Sequence, residues 1–342
     1  METLISSQSS HFVFNLTHAS DVAAVRRAGQ KVADSLGFNE VKAGQLALII
    51  TEAATNIPKH AGEGAMHVGP AQSPAGIGVD VLALDKGPGI ADIDNCLLDG
   101  VSSAGTAGTG LGALLRLSDE FDVYTKRGEG TAFFMRLWRD EPAPHPRGVE
   151  VGALWAPIAG EDECGDGWAV SCGDDGATIL ACDGLGHGPN AAAATNAAID
   201  ALAERGPVGA GEMVHAAHEA LRGTRGAALA AARIDFYNDE LTFAGVGNIA
   251  GVVIDDDRRA LVSHNGIVGA NMRKVQEFSV PFPAGALCIL CSDGIQTQWD
   301  LHKYPGLHGR APALIAAVLM RDFIRGRDDA MVVVVRRAAI LA

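Results

Sequence analysis

The sequence predicts an α+β protein of two domains. Its 342 residues exceed the usual length of one domain and suit two. Residues 140–147 read DEPAPHPR, and prolines at alternate positions favour an extended linker there. Beyond it, strand-like runs are grouped apart from helix-like runs, which indicates layered α+β packing rather than a βαβ repeat. We therefore expect domains at 10–139 and 148–342, joined by a linker at 140–147.

The first half alternates between helical and extended patterns. A short strand is expected at HFVFNL, followed by two helices that Ser20 and Asn39 are placed to cap. Further strands are predicted at 77–84, 121–126 and 131–138. A Gly/Ser/Thr-rich stretch from Ser102 to Gly112 lies between the first and second of these strands.

The second half is richer in strands than the first. The predicted strands are 150–156, 167–172, 177–182, 227–236, 240–246, 249–254, 275–280, 286–291 and 331–336. The predicted helices are 190–204, 210–222 and 312–323. The run of aspartates and arginines at 255–259 is expected to be a solvated hairpin tip.

Charge and cysteine usage limit the classes of partner. The chain carries 27 basic and 41 acidic residues, which gives a formal net charge of −14. A surface this negative repels nucleic acid and anionic membranes, so we expect neither as a partner. We find no targeting segment and no apolar run of the roughly 18 residues that a membrane helix needs. Six irregularly spaced cysteines are typical of reduced thiols, which predicts a cytoplasmic location.

A set of polar residues in the second predicted helix indicates a ligand site. Glu52 and Asn56 are four residues apart, so their side chains share one helical face. Pro58 follows, and proline removes a helical hydrogen bond, so we expect a kink beside this set. For His60, we favour the reading that it ends the helix near the negative end of the helix dipole.

Two glycine-containing motifs extend this candidate site. Asp85 ends an apolar strand and is followed by Gly87 and Gly89, where the missing side chains let a flat ligand approach. A later glycine loop opens a helix, and such a loop presents backbone N–H groups to phosphate. Its glycines are Gly108, Gly110 and Gly112.

Over about residues 10–138, these motifs resemble the GHKL ATPase superfamily and, within it, the serine kinases that act on anti-sigma-factor antagonists. The resemblance implies a GHKL α/β sandwich that binds ATP and Mg²⁺. Asn56 would hold the Mg²⁺, Asp85 would accept a hydrogen bond from the adenine amino group, and Glu52 would act as general base. The glycines would shape the adenine pocket (Gly87 and Gly89) and the lid over the phosphates (Gly108, Gly110 and Gly112).

A second group of motifs places carboxylates at the edges of strand-like runs. Asp166, Asp183 and Asp293 each stand beside a glycine, and Asp328 and Asp329 precede a run of valines. Any one of them could be an ordinary turn residue. Several carboxylates beside buried strands cost folding free energy unless a divalent cation neutralises them. Mg²⁺ and Mn²⁺ prefer such oxygen ligands.

Over about residues 148–337, these motifs resemble the PPM-type serine/threonine phosphatases of the bacterial sporulation and stress-response branch. The resemblance implies an αββα sandwich with two Mn²⁺ or Mg²⁺ ions. The implied metal ligands are Asp166, Asp183, the Gly184 carbonyl, Asp293 and, in preference to Asp329, Asp328. For His187 we give equal weight to two interpretations: it protonates the leaving serine oxygen, or it simply begins a helix.

Together the two resemblances imply a bifunctional switch that phosphorylates a serine or threonine and also hydrolyses a phosphoserine or phosphothreonine. The implied partner is a STAS-type antagonist or a stressosome-type phosphoprotein, in sigma-factor or stress signalling. In the alternative, the first domain binds ATP and captures a partner without transferring phosphate. A homodimer is left open.

Overall fold

A computed structural model describes residues 3–7, 11–73, 75–97, 110–143, 148–272 and 274–338. The chain forms two compact units. Unit 1 comprises Met1–Ser10, His145–Asp300 and Asp322–Ala342, and unit 2 comprises His11–Pro144 and Leu301–Arg321. The units divide the chain within the stretch predicted as a linker. They also group 1–10 with the second half of the chain and 301–321 with the first, whereas the sequence predicts contiguous domains.

The elements are numbered here in chain order. Among the described residues the strands are β1 (Thr3–Ser6), β2 (Phe12–Leu16), β3 (Gly64–Ser73), β4 (Gly76–Asp85), β5 (Glu120–Lys126), β6 (Gly130–Trp138), β7 (Val149–Ala156), β8 (Asp166–Cys172), β9 (Gly176–Gly184), β10 (Ala227–Asp235), β11 (Glu240–Val246), β12 (Ala250–Ile254), β13 (Arg258–Leu261), β14 (Phe278–Pro281), β15 (Leu287–Cys291) and β16 (Ala330–Arg337). The helices are α1 (Val22–Ser35), α2 (Glu40–Asn56), α3 (Ile93–Leu97), α4 (Gly110–Leu117), α5 (Pro189–Arg205), α6 (Ala210–Ala220) and α7 (Pro312–Phe323).

Unit 2 is built on a five-stranded antiparallel sheet in the order β2-β3-β4-β6-β5. The helices α1 and α2 pack on one face of this sheet and bury their apolar positions against it. The shared core contains Val25 of α1, Leu46 and Ile50 of α2, and Val68 and Met135 of the sheet. This packing fixes the end of α2 beside the end of β4, where the predicted ligand residues lie.

The two predicted helix caps differ in outcome. The Asn39 cap is confirmed, because its side chain accepts a hydrogen bond from the Lys42 backbone N–H at 2.9 Å. The Ser20 cap is wrong, because Ser20 lies inside a short 3₁₀ turn and the N-cap of α1 is Asp21. The Asp21 carboxylate accepts hydrogen bonds from the two backbone N–H groups at positions 17 and 18, at 3.0 and 2.9 Å.

Unit 1 contains two antiparallel sheets that share a core. One has the order β1-β8-β9-β10-β11-β14 and the other β13-β12-β15-β16-β7. Their facing side chains form one buried cluster, in which Trp155 of β7 meets Trp168 of β8 edge to face at a ring-centroid distance of 5.8 Å. A separate buried cluster packs α5 and α6 against β8–β11, through residues such as Ile199, Met213 and Leu229. The predicted two-domain α+β class is confirmed.

The edge strand β1 comes from the start of the chain. It pairs antiparallel with β8, from Thr3 opposite Cys172 to Ser6 opposite Ala169. Ile5 is buried in the core between the sheets. Ser7 continues the pairing. Its backbone N–H donates to the Trp168 carbonyl at 2.9 Å, and its hydroxyl accepts from the backbone N–H of Trp168 at 2.8 Å.

Three strands, β1, β3 and β13, are absent from the predicted set, and each has a weak pattern. The strands β1 and β13 have only four residues each. The ten residues of β3 read GAMHVGPAQS, and their glycines and proline weaken a strand signal. In the described ranges, no helix is both long enough and apolar enough to cross a membrane.

Candidate functional site

A cavity of about 510 Å³ in unit 2 brings the first set of predicted residues together. Its walls are the end of α2, the end of β4 with the turn that follows, and the start of β6. Asn56, Asp85 and Gly89 line it, as the sequence predicts, and so do His60 and Thr131. With apolar side chains such as Phe133 alongside, the cavity suits a flat, mostly apolar ligand with a few polar edges.

Asp85 is a half-buried hydrogen-bond acceptor in this cavity. One carboxylate oxygen, Oδ1, accepts hydrogen bonds from the Gly87 N–H at 2.8 Å and the Thr131 N–H at 3.2 Å. Burial raises the pKa of Asp85 above its usual value, although those two donors lower it. The turn depends on small residues, because a Cβ at Gly87 would lie 2.6 Å from the Ala61 Cβ and Gly89 has a φ of +69°.

The end of α2 changes helical form at the predicted kink. The α-helix ends at Asn56, and a π-helical turn, Ile57–Ala61, follows with Pro58 in it. Proline cannot continue the α-helical hydrogen bonds, which accounts for the change. This turn brings His60 to the cavity wall. Burial and the nearby Lys59 ammonium lower the pKa of His60.

The predicted lid is described only in part. Gly108 lies outside the described residues, whereas Gly110 begins α4 and Gly112 is buried within it. A Cβ at Gly110 would overlap the Glu52 carboxylate. Glu52 therefore lies against the start of α4, one helical turn before Asn56.

In unit 1, four of the predicted aspartates influence one another electrostatically. Asp166 of β8 pairs in register with Asp183 of β9. Burial raises the pKa of Asp166 well above its usual value, and the Asp183 carboxylate raises it further. The pKa of Asp183 is raised to about 7. Burial is the largest cause, and the neighbouring carboxylates, which include Asp293 and Asp328, raise it further. Like charges held this close favour a bound cation or a proton.

Two further observations bear on a metal. The Oδ2 atom of Asp166 is buried and has no hydrogen-bond partner among the described residues, as expected of a metal-ligating oxygen. However, no three histidine, cysteine, aspartate or glutamate side chains in the described ranges are placed to hold one ion together. The carboxylate oxygens of these aspartates are therefore suitable ligands for divalent ions. Which of the aspartates bind an ion stays a prediction.

The adjacent Asp328 and Asp329 have different surroundings. Asp329 is buried, and its carboxylate accepts hydrogen bonds from the Ile158 and Gly165 N–H groups, both at 2.6 Å. It thus fixes the loop between β7 and β8. Asp328 is exposed and acts electrostatically on Asp183 and Asp293. This difference supports the choice of Asp328 as the ligand.

His187 lies just before α5 and has a carboxylate partner. Its Nδ1 atom is 2.7 Å from Glu161 Oε1, and Glu161 belongs to the loop that Asp329 fixes. The N-cap of α5 is Gly188, so His187 does not cap the helix itself. Gly184 ends β9, and a Cβ there would overlap the Ala191 carbonyl oxygen, so the approach to α5 requires glycine.

Comparison with known proteins gives matches to both halves. The family model of the histidine kinase-like ATPase domain matches residues 15–137, and that of Stage II sporulation protein E (SpoIIE) matches residues 173–338. The serine/threonine-protein kinase RsbT of Bacillus subtilis is 37% identical over 118 residues, which are 34% of this chain and 89% of RsbT. The chain belongs to the RsbT family and joins an RsbT-type domain to a SpoIIE-type domain.

Solved structures add to this comparison. A chain from a study of the bacterial stressosome has a TM-score of 0.52 at 29% identity and covers 55% of this chain and 99% of its own. RsbX in complex with magnesium has a TM-score of 0.49 at 16% identity, over 57% of this chain and 98% of its own. The predicted kinase–phosphatase fusion and its enzyme class are confirmed by the family matches.

Three residues near the two sites were not found by the sequence reasoning. Thr131 holds Asp85, Glu161 bonds His187, and Asn248 donates from Nδ2 to Asp293 Oδ2 at 2.7 Å. Asn248 follows a strand in GVGNIAG, which reads as a turn. A lone threonine or glutamate has no motif around it, so only the fold brings these residues to the sites.

Proposed function

We propose that this chain is a bifunctional switch that phosphorylates a serine or threonine of a partner protein in unit 2 and hydrolyses phosphoserine or phosphothreonine in unit 1. The observation that carries the proposal is the pairing of Asp166 with Asp183 across β8 and β9, where the buried Asp166 Oδ2 has no hydrogen-bond partner among the described residues, since this arrangement supports a site for divalent cations. The 510 Å³ cavity around Asp85 supports the nucleotide site of the other activity.

In the kinase reaction, ATP would occupy the cavity in unit 2. The Asp85 carboxylate has one oxygen engaged by backbone donors, so the other can accept the adenine amino group. Asn56 would hold Mg²⁺ at the phosphates. Glu52, which lies one helical turn before Asn56 and outside the set of residues that line the cavity, would orient the incoming hydroxyl. Phosphoryl transfer depends mainly on positioning and charge neutralisation, which this set can supply.

In the phosphatase reaction, two Mn²⁺ or Mg²⁺ ions would supply an activated water and neutralise the charge of the phosphoryl group. Their proposed ligands are Asp166, Asp183, the Gly184 carbonyl, Asp293 and Asp328. His187 would donate a proton to the leaving serine oxygen, and its bond to Glu161 would orient the imidazole.

The partner would be a STAS-type antagonist or stressosome-type phosphoprotein in sigma-factor or stress signalling. The similarity to Bacillus subtilis RsbT and to a chain from a study of the bacterial stressosome supports this choice. The formal net charge of −14 supports a protein partner over nucleic acid or a membrane surface. A cytoplasmic location is part of the same proposal.

The kinase reading is tested by transfer of label from γ-labelled ATP to a purified STAS-domain protein. The wild-type chain is expected to transfer label, and Asn56→Ala is expected to abolish transfer by removing the Mg²⁺ ligand. A wild-type chain that binds ATP but transfers no label would replace the kinase with the alternative, a domain that captures a partner without phosphorylating it.

The phosphatase reading is tested separately with Mn²⁺ and p-nitrophenyl phosphate. Asp183→Ala and Asp293→Ala are each expected to remove the hydrolysis, whereas the exposed Asp256→Ala is a matched control that should retain it. Hydrolysis that survives both site variants would refute the metal assignment.

A further inference from the structure

A second cavity, which belongs to unit 1, lies beside the proposed metal-binding aspartates. Its charged lining residues are positive, whereas the aspartates are negative. Its volume is about 340 Å³, and its lining residues are Gln296, Thr297, Gln298, Arg325 and Arg327. These residues follow Asp293 by three to five positions or precede Asp328 by one to three. A three-residue segment spans at most about 10 Å, so the cavity is adjacent to the proposed metal ligands.

Backbone hydrogen bonds hold the two walls of this cavity together. The Gln296 N–H donates to the Phe323 carbonyl at 2.9 Å, and the Arg325 N–H donates to the Gly294 carbonyl at 2.8 Å. Gly326, with a φ of +66°, makes the turn between the two arginines. The arginines are therefore presented from a segment tied directly to the loop that carries Asp293.

The guanidinium groups are available to a ligand. Both arginines are exposed, and neither forms an ion pair with a carboxylate among the residues that the structure describes. Arg325 is close enough to Asp293 to lower the pKa of that carboxyl, although burial and the Asp328 carboxylate raise it more. Within the described part of the chain, these two arginines thus form a positively charged patch on a protein whose net charge is −14. Guanidinium groups bind carboxylates bidentately, and amide and hydroxyl side chains can bond a peptide backbone.

We propose that this cavity binds the polypeptide next to the phosphorylated residue, and that Arg325 and Arg327 select substrates with acidic residues beside the phosphoserine. The inference rests on the phosphatase function proposed above. An extended peptide advances about 3.3 Å per residue, so side chains one to three positions from the phosphoserine reach a cavity that lies within about 10 Å. The phosphoryl group itself would be neutralised by the metal ions, which leaves the arginines to the flanking carboxylates.

The test compares three substrates with the full-length, Mn²⁺-loaded protein. Two are synthetic phosphoserine peptides that differ only in carrying glutamate or glutamine at the three positions on either side, and the third is p-nitrophenyl phosphate. The wild type is expected to show a higher kcat/KM for the glutamate peptide. Arg325→Ala and Arg327→Ala are each expected to lower that kcat/KM about fivefold, mainly through KM, and to reduce the preference between the peptides.

Two controls separate recognition from folding. Arg205→Ala removes an exposed arginine at the far end of α5, whose 17 residues span about 25 Å, and is expected to keep the wild-type preference. Arg325→Lys keeps the charge and is expected to restore part of the preference.

Three results would count against the inference. Equal wild-type rates on the two peptides would overturn it while leaving the proposed phosphatase intact. An equal proportional loss on all three substrates in both alanine variants would assign the arginines to the phosphoryl group or to folding, and would also overturn it. No hydrolysis of any substrate would overturn the proposed function and this inference together.

Discussion

The half-buried carboxylate of Asp183 should make the metal-free protein less stable as the pH rises. Burial and the neighbouring carboxylates raise its folded-state pKa from 3.8 to about 7. Between these values the folded state holds more protons than the unfolded state, so the free energy of unfolding falls as the pH rises through this window. Asp183→Asn removes the ionising group and keeps the shape of the side chain, so it should remove this loss.

The size of the effect follows from the same pKa difference. The interval between 3.8 and about 7 corresponds to about 4 kcal/mol for an isolated group. Neighbouring aspartates share part of this cost, so we expect Asp183→Asn to be more stable than the wild type by about 2–4 kcal/mol at pH 8. Near pH 5 the difference should shrink to about 1–2 kcal/mol, because the wild-type carboxyl is then protonated in the folded state.

Urea unfolding in EDTA, followed by tryptophan fluorescence, measures this difference. Trp155 and Trp168 report on the core of unit 1, and Trp138 reports on unit 2. The exposed Asp256→Asn is a matched control and should follow the wild type at every pH. Adding Mn²⁺ should reverse the order, since only the wild type retains all the proposed ligands. Parallel pH dependences for wild type and Asp183→Asn in EDTA, or a less stable variant at pH 8, would refute the reasoning.

Three further predictions follow from single contacts. Gly110→Ala introduces a Cβ that overlaps the Glu52 carboxylate, so label transfer from ATP should fall about tenfold or more while Mn²⁺-dependent hydrolysis stays; equal loss of both activities would contradict this. Glu161→Gln keeps a hydrogen-bond acceptor for His187 but removes the charge of that acceptor. The kcat should fall about tenfold for a phosphoserine peptide and less for p-nitrophenyl phosphate, because the leaving group of the latter needs no proton. Equal falls in kcat for the two substrates would count against a role for His187 as the acid. Ile5→Ala should lower the stability of unit 1 by about 2–4 kcal/mol in urea unfolding, whereas the more exposed Val13→Ala should cost far less, and an equal cost would argue against the burial of β1.

The sequence predicts much of both sites because their residues belong to motifs at element ends. Asp85 ends β4, Asp183 is near the end of β9, and Asp293 follows β15, so each is marked by an apolar run before it. The register of β8 and β9 then brings Asp166 opposite Asp183, which a reader of the sequence can expect but cannot derive without the pairing.

The rest depends on contacts between distant segments. The cavity of Arg325 and Arg327 depends on the backbone hydrogen bonds that join the loop after β15 to the loop before β16, and the sequence does not show that these two loops meet. The bond between Glu161 and His187 depends on Asp329 holding the preceding loop. Composition and spacing do not separate Asp328 from Asp329; the family resemblance favours Asp328 as the ligand, and the burial of Asp329 with its two backbone contacts is seen only in the structure.

The position of β1 has a consequence for biosynthesis. Ser7 and Trp168 are 161 positions apart, and at about 5–20 residues per second a ribosome needs roughly 10–30 s to make the intervening chain. During that interval the nascent strand has no partner, so its docking is a late event. A version of the protein expressed from the linker onwards would leave the edge of β8 unpaired. A synthetic peptide covering residues 1–10, supplied in trans, should then complete the sheet.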